Sequence, residues 1–260
     1  MSHFWDRCAS RCPLRITIYA IGFAGLLAIF VACISDNADD EDMMMDGLGG
    51  TSTIEVLAEE QVDTLPSEPH TWVAHELQME AGSEPVTHQH ELGFIYAPDS
   101  EHTVTIDGEE TRLEAGESVF IGQDVEHTHG AGTFWDIRLT RPGASPPAGL
   151  EDAAQIFASP ELEGIPETPV QIRFIFAELP VDGETSVHTH PGSEYIYVTE
   201  GEIDYQNAIV GTEPMTVGDD HSLPANTAVQ KRNPDGGPAV FLSWFIVDPD
   251  EPFAPEASFE

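Results

Sequence analysis

Two H-x-H pairs stand out in this 260-residue chain: His88 and His90 in V-T-H-Q-H-E, and His188 and His190 in S-V-H-T-H-P. Successive side chains of a strand point to opposite faces, so the imidazoles of each pair lie on one side, roughly 6 to 7 Å apart. Two such rings can share one cation. After the second pair, Glu194 opens E-Y-I-Y-V, where Glu194, Ile196 and Val198 share one face and Tyr195 and Tyr197 the other. A carboxylate on the apolar face needs a partner. Two histidines and a carboxylate are also the donor set of the non-haem iron facial triad. After the first pair, E-H-T-H offers His127, with His129 and Glu91 as a fourth ligand or as groups that orient the ligands. Three imidazoles suit zinc, copper, nickel or iron, and a three-ligand site keeps a coordination position open for water or substrate. The alternatives are a metal-free first cluster whose histidines bond to each other and to water, and an apolar second binding site.

The elements that must position these residues are short strands. His88 and His90 recur as His188 and His190, and Gly116 as Gly218, a repeat of about 100 residues. F-W-D-I-R-L-T-R-P from Phe134 answers F-L-S-W-F-I-V-D-P from Phe241, both buried-type strands stopped by proline. Turn signals such as Asp107-Gly108 separate the strands, and no long helix is evident. Two tandem all-β units fit this pattern. Trp135, Tyr195, Tyr197 and Trp244 read as packing residues, and His102 and His221 as solvated.

The stretch Gly183 to Gly201 resembles the first signature of the cupins, matching at Gly183, His188, His190, Glu194 and Gly201. The second signature is matched at Gly218, Pro224 and Asn233, with Val229 where the ligating histidine belongs. In the first half Gly82, His88 and His90 match with Phe94 in the glutamate's place, and Gly116 and His127 match downstream, with Gly122 in place of proline. The resemblance implies a bicupin: two tandem jelly-roll barrels over residues 71–248. It implies metal ligands His88, His90 and His127 in one barrel and His188, His190 and Glu194 in the other. It also implies a divalent metal (Fe, Zn, Mn, Ni or Cu), a small-molecule substrate and an oxygenase-like activity. A non-enzymatic module that senses or stores a metal or small ligand is the competing class, and a homodimer is compatible with either.

Composition bounds the setting. Nine Lys and Arg against 47 Asp and Glu give a net charge of -38, which repels phosphate backbones and excludes nucleic acid as a partner. The acidic excess is expected to be an adaptation to high salt; greatest stability at low salt would contradict that. Arg7, Arg11 and Arg15 precede an uncharged apolar run, 16–34, long enough to span a bilayer. The positive-inside rule leaves 1–15 cytoplasmic and exports the rest. The run reads as an uncleaved anchor or, through F-V-A-C ending at Cys33, as a lipoprotein signal. Cys8, Cys12 and Cys33 all fall at or before its end, so the exported part forms no disulfide. The expected order is n-region 1–15, anchor 16–34, acidic tether 35–70, barrel 71–142, Pro-rich linker 143–169, barrel 170–249 and tail 250–260. Ser52 to Val62 reads as a short strand or helix, and Leu150 to Phe157 as one or two helical turns.

Overall fold

The computed structural model describes residues 48–234 and 236–259. Residues 1–15, the apolar run 16–34, all three cysteines and the first part of the tether lie outside the described residues. Every regular element among those described is a strand. The first half holds β1 (Thr53–Val62), β2 (Thr71–Met79), β3 (Val86–His88), β4 (Gly93–Tyr96), β5 (His102–Ile106), β6 (Glu109–Leu113), β7 (Ser118–Ile121), β8 (His127–His129) and β9 (Gly132–Thr140). There follow β10 (Ala154–Ala158), β11 (Val170–Leu179), β12 (Gly192–Glu200), β13 (Glu202–Asn207), β14 (Gly211–Thr216), β15 (Asp220–Leu223), β16 (Val229–Arg232) and β17 (Ala239–Val247).

These strands form two bodies of two sheets each. In the first, the sheet β10-β2-β9-β4-β7 faces β3-β8-β5-β6; in the second, β1-β11-β17-β12-β15 faces β14-β13-β16. Asp107 and Gly108 turn between β5 and β6 with φ of 52° and 81°, the positive pair a tight two-residue hairpin demands.

Residues 53–62 take the strand alternative of their reading, but as a ten-residue strand paired along β11 they belong to a sheet and not to the tether. Leu150 to Phe157 does not turn helically: β10 pairs antiparallel with β2. Each of these strands precedes one body in sequence and completes the sheet of the other, so the halves are tied by reciprocal exchange of an edge strand. The physical reason lies in unpaired edges, since β2 and β11 would otherwise present free N–H and C=O groups.

Between the two large sheets lies the main core. Trp72, Phe94, Tyr96, Trp135 and Ile137 from the first body meet Phe174, Tyr195, Trp244 and Ile246 from the second. Phe174 stacks on Trp244 with ring centroids 4.8 Å apart. Separate clusters fill the interiors: Ile95, Val104, Ile121 and Phe134 in the first body, and Ile196, Val198, Tyr205, Val229 and Phe241 in the second. Alternation along each strand thus sends one face to the joint core and the other inward, where the histidines are.

Candidate metal centre

The first interior gathers more donors than its H-x-H pair announces. His88 pairs directly with His127 across β3 and β8, and His129 follows on the same inward face. On the opposing sheet, Asp136 of β9 lies between His75 of β2 and Ile95 of β4. The ligand atoms of His88, His127, His129 and Asp136 all fall within 4.8 Å of one another, and all four residues are buried. His90 joins them, its Nε2 3.3 Å from Asp136 Oδ2, while His88 Nε2 lies 3.2 Å from the same oxygen.

Hydrogen bonds fix how the rings face. His127 Nδ1–H donates to the Val125 carbonyl at 3.0 Å, leaving Nε2 as a lone pair with no partner among the described residues. His102 Nδ1–H donates to the Ala131 carbonyl at 3.3 Å, so its Nε2 accepts from His129 Nδ1–H at 3.0 Å, and His129 Nε2 is likewise an unpartnered lone pair. His90 Nδ1–H donates to the Glu91 carbonyl, which turns a lone pair on Nε2 toward the Asp136 carboxylate. Two acceptors 3.3 Å apart require a proton or a metal between them. Burial lowers His127 and His102 to about 4 and His129 well below its usual range, so these rings stay neutral, as ligands must. Burial alone would raise the Asp136 carboxyl, but His90, His88 and Arg138 outweigh it and hold the group well below the ordinary carboxylate range.

Arg138 is shared. Its Nε is 3.2 Å from Asp136 Oδ1 and its Nη1 3.6 Å from Glu91 Oε2. One guanidinium against two carboxylates, one of them the half-exposed Glu91, leaves one negative charge unbalanced beside the neutral rings of His127 and His129. The donor set, the orphaned inward lone pairs and this charge all fit a divalent cation. Glu91 itself accepts from Thr140 Oγ1 at 3.1 Å and faces Arg138, so it acts on the site from outside. His90, Arg138 and Glu91 also form a wall of a cavity of about 520 Å³.

Register corrects one reading. Gly93 faces Arg138 as Gly192 faces Val247, so Ile95 is the counterpart of Glu194 and Asp136 that of Phe245. Phe94, expected at the glutamate position, points into the joint core. The loop after His90 is one residue longer than that after His190 before its glycine, which shifts the count. The carboxylate is not missing from the first body; it stands on the neighbouring strand, directly across from Ile95. Asp136 and His75 were not anticipated, and His102, read as solvated, is fully buried. The signal for Asp136 is an acid and a base at alternate positions of an apolar strand, F-W-D-I-R-L.

The second interior brings His188, His190 and Glu194 together around a different partner. Glu194 Oε1 and Oε2 accept from Lys231 Nζ at 2.8 and 2.9 Å, and Ser243 Oγ donates to Oε1 at 3.2 Å. His188 Nδ1–H donates to the Ser186 carbonyl at 2.9 Å and His190 Nδ1–H to the Phe253 carbonyl at 2.8 Å. Both Nε2 atoms therefore carry inward lone pairs. Burial first, then the Lys231 ammonium, lowers both rings to about 3. Residues of the expected tail lie across this end: the Phe253 ring packs tilted against His190 with centroids 4.8 Å apart, Thr189 N–H donates to the Pro255 carbonyl, and Ala257 N–H to that of Val187.

Residues 175–245 match the family model of the Cupin domain. The sequence matches no curated protein. Among solved structures, a sugar phosphate isomerase from a cupin superfamily, from Silicibacter pomeroyi, is 28% identical over 30% of this chain and 52% of its own, with a TM-score of 0.28. The chain thus spans about half the length of that protein. Oxalate decarboxylase of Lactobacillus farciminis in a formate complex is 15% identical over 80% of this chain and 86% of its own, TM-score 0.53. A deletion mutant of Bacillus subtilis oxalate decarboxylase is 15% identical over 70% of each chain, TM-score 0.50. The similarity to the two decarboxylases is one of fold, and the match to the Cupin domain is confined to residues 175–245 of this all-β chain.

Proposed function

We propose that the protein is a metal-dependent enzyme whose single centre lies in the first barrel, with His88, His90, His127 and Asp136 as ligands and His129 as a fifth donor or the ring that positions them. The observation that carries this reading is the set of buried imidazole lone pairs converging on a carboxylate whose one cationic side-chain neighbour, Arg138, is shared with Glu91. The ion would supply Lewis acidity at an open position. The chain's own residues do the rest. The Val125 and Ala131 carbonyls, the latter through His102, hold His127 and His129 in the tautomer that presents Nε2. His90 and His88, with Arg138 behind them, keep Asp136 anionic, and the cavity beside His90 and Glu91 admits a small organic molecule.

Oxygenase chemistry is the form implied by the resemblance of the sequence to cupins. The neighbours of similar fold include oxalate decarboxylases, so oxalate belongs among the compounds to test. We further propose that the run 16–34 tethers the body to the outer face of a membrane. The test is a panel of small organic acids and uncharged compounds offered to the metal-loaded full chain, following oxygen uptake and carbon dioxide release. Turnover that falls at least a hundredfold in His127→Ala and is unaffected by His190→Ala supports an enzyme. Stoichiometric metal without turnover of any compound would instead favour a binding module.

A further inference from the structure

We propose that Lys231 is the resident cation of the second barrel, its ammonium standing where the first barrel would hold a metal, so that the chain binds one divalent ion rather than two. Register gives the substitution residue by residue. His88 pairs with His127 as His188 pairs with Val229. Val104 and Ile106 of β5 face His129 and His127, as Tyr205 and Asn207 of β13 face Lys231 and Val229. Lys231 therefore occupies the strand position of His129, and Val229 that of His127. One ligand position has become apolar and the next has become a cation.

Geometry and charge agree with this exchange. The Lys231 and Glu194 side chains are 2% and 1% exposed, and the ammonium reaches both carboxylate oxygens. Its remaining face is turned toward the Tyr205 and Phe241 rings, 5.9 and 5.8 Å from the nitrogen, within reach of cation–π attraction. A buried carboxylate needs a buried positive partner, and here the partner is covalently part of β16. Lys231 reaches both oxygens of Glu194, whereas Arg138 approaches Asp136 through Nε alone, at 3.2 Å from Oδ1, and turns its Nη1 toward Glu91. A divalent ion bound to His188, His190 and Glu194 would have to displace an ammonium already bonded to the only carboxylate of the three. His190 Nε2 lies 3.7 Å from Glu194 Oε2, against 3.3 Å from His90 Nε2 to Asp136 Oδ2 in the first barrel. Lys231 is the sole lysine of the chain, so its amine can be followed without interference from any other side chain.

The test uses the full-length protein loaded with Mn²⁺ or Zn²⁺. One metal per chain, lost in His127→Ala and kept in His190→Ala, is expected. Lys231→His, which restores the residue type of the first barrel at that position, should raise the content toward two. Independently of any variant, mass spectrometry after brief treatment with an amine-acylating reagent should find Lys231 protected by at least tenfold relative to urea-unfolded chain, with or without metal. Two metals in the natural chain, or metal-dependent exposure of Lys231, would overturn the proposal. The count of one ion rests on the first-barrel centre proposed above: a chain that binds no metal yet keeps Lys231 protected would sink that centre and leave standing only Lys231 as the resident cation of the second barrel.

Discussion

At the scale of single residues the two barrels solve one electrostatic problem in opposite ways. Each buries a carboxylate among neutral imidazoles, and each must place positive charge beside it. Asp136 is approached by Arg138 within a set of donors that could hold a metal ion; Glu194 receives its positive charge from Lys231. The neutral rings carry a consequence for pH. His127 and His102 titrate at about 4 in the fold and near 6.5 in an unfolded chain. Between these values the unfolded state binds more protons, so stability falls as pH falls from 6.5 to 4. Asp136, lowered in the fold, adds a further loss below the ordinary carboxylate range. The urea midpoint of metal-free protein should therefore be lower at pH 5 than at pH 7, and a flat or rising midpoint would show that these rings are not buried as neutral species. His88 and His90 were legible as an H-x-H pair because strand alternation needs only their spacing. Asp136 was not, because its role depends on which strand lies beside β4.

At the scale of elements, two glycines set the positions of the carboxylates. A Cβ on Gly93 would sit 1.9 Å from the Ile137 carbonyl oxygen, and one on Gly192 2.0 Å from that of Ile246. Both contacts are with backbone, so a strand must move; over-packing of this kind costs roughly 1–3 kcal/mol. Ile137 neighbours Asp136, whereas Ile246 neighbours Phe245. Gly93→Ala is expected to lower both thermal stability and metal affinity, and Gly192→Ala to lower stability alone, as read by thermal unfolding and metal titration. Equal effects on affinity would show that β9 does not position the ligand. The repeat, the hairpin at Asp107-Gly108 and the buried strands β9 and β17 were readable from periodicity and turn chemistry. The exchange of β1 and β10 was not, since a strand's own sequence does not say whose edge it covers.

At the scale of the whole molecule, the joint core of Trp72, Phe94, Phe174 and Trp244 makes the two barrels one body, while their interiors have diverged. The first keeps a metal donor set beside a cavity; the second is filled by an ion pair and covered by residues 253–257. The fold class was visible in the sequence through its best-matched stretch, Gly183 to Gly201. That same stretch implies a metal in the second barrel; what a signature does not record is the lysine that reaches Glu194 from another strand. The most direct measurement is an anomalous-scattering map of crystals of the full chain grown with Mn²⁺ or Zn²⁺. A single strong peak among His88, His90, His127 and Asp136, with none beside Glu194, is the expected result. No peak in the first barrel, or one between His188, His190 and Glu194, would contradict it.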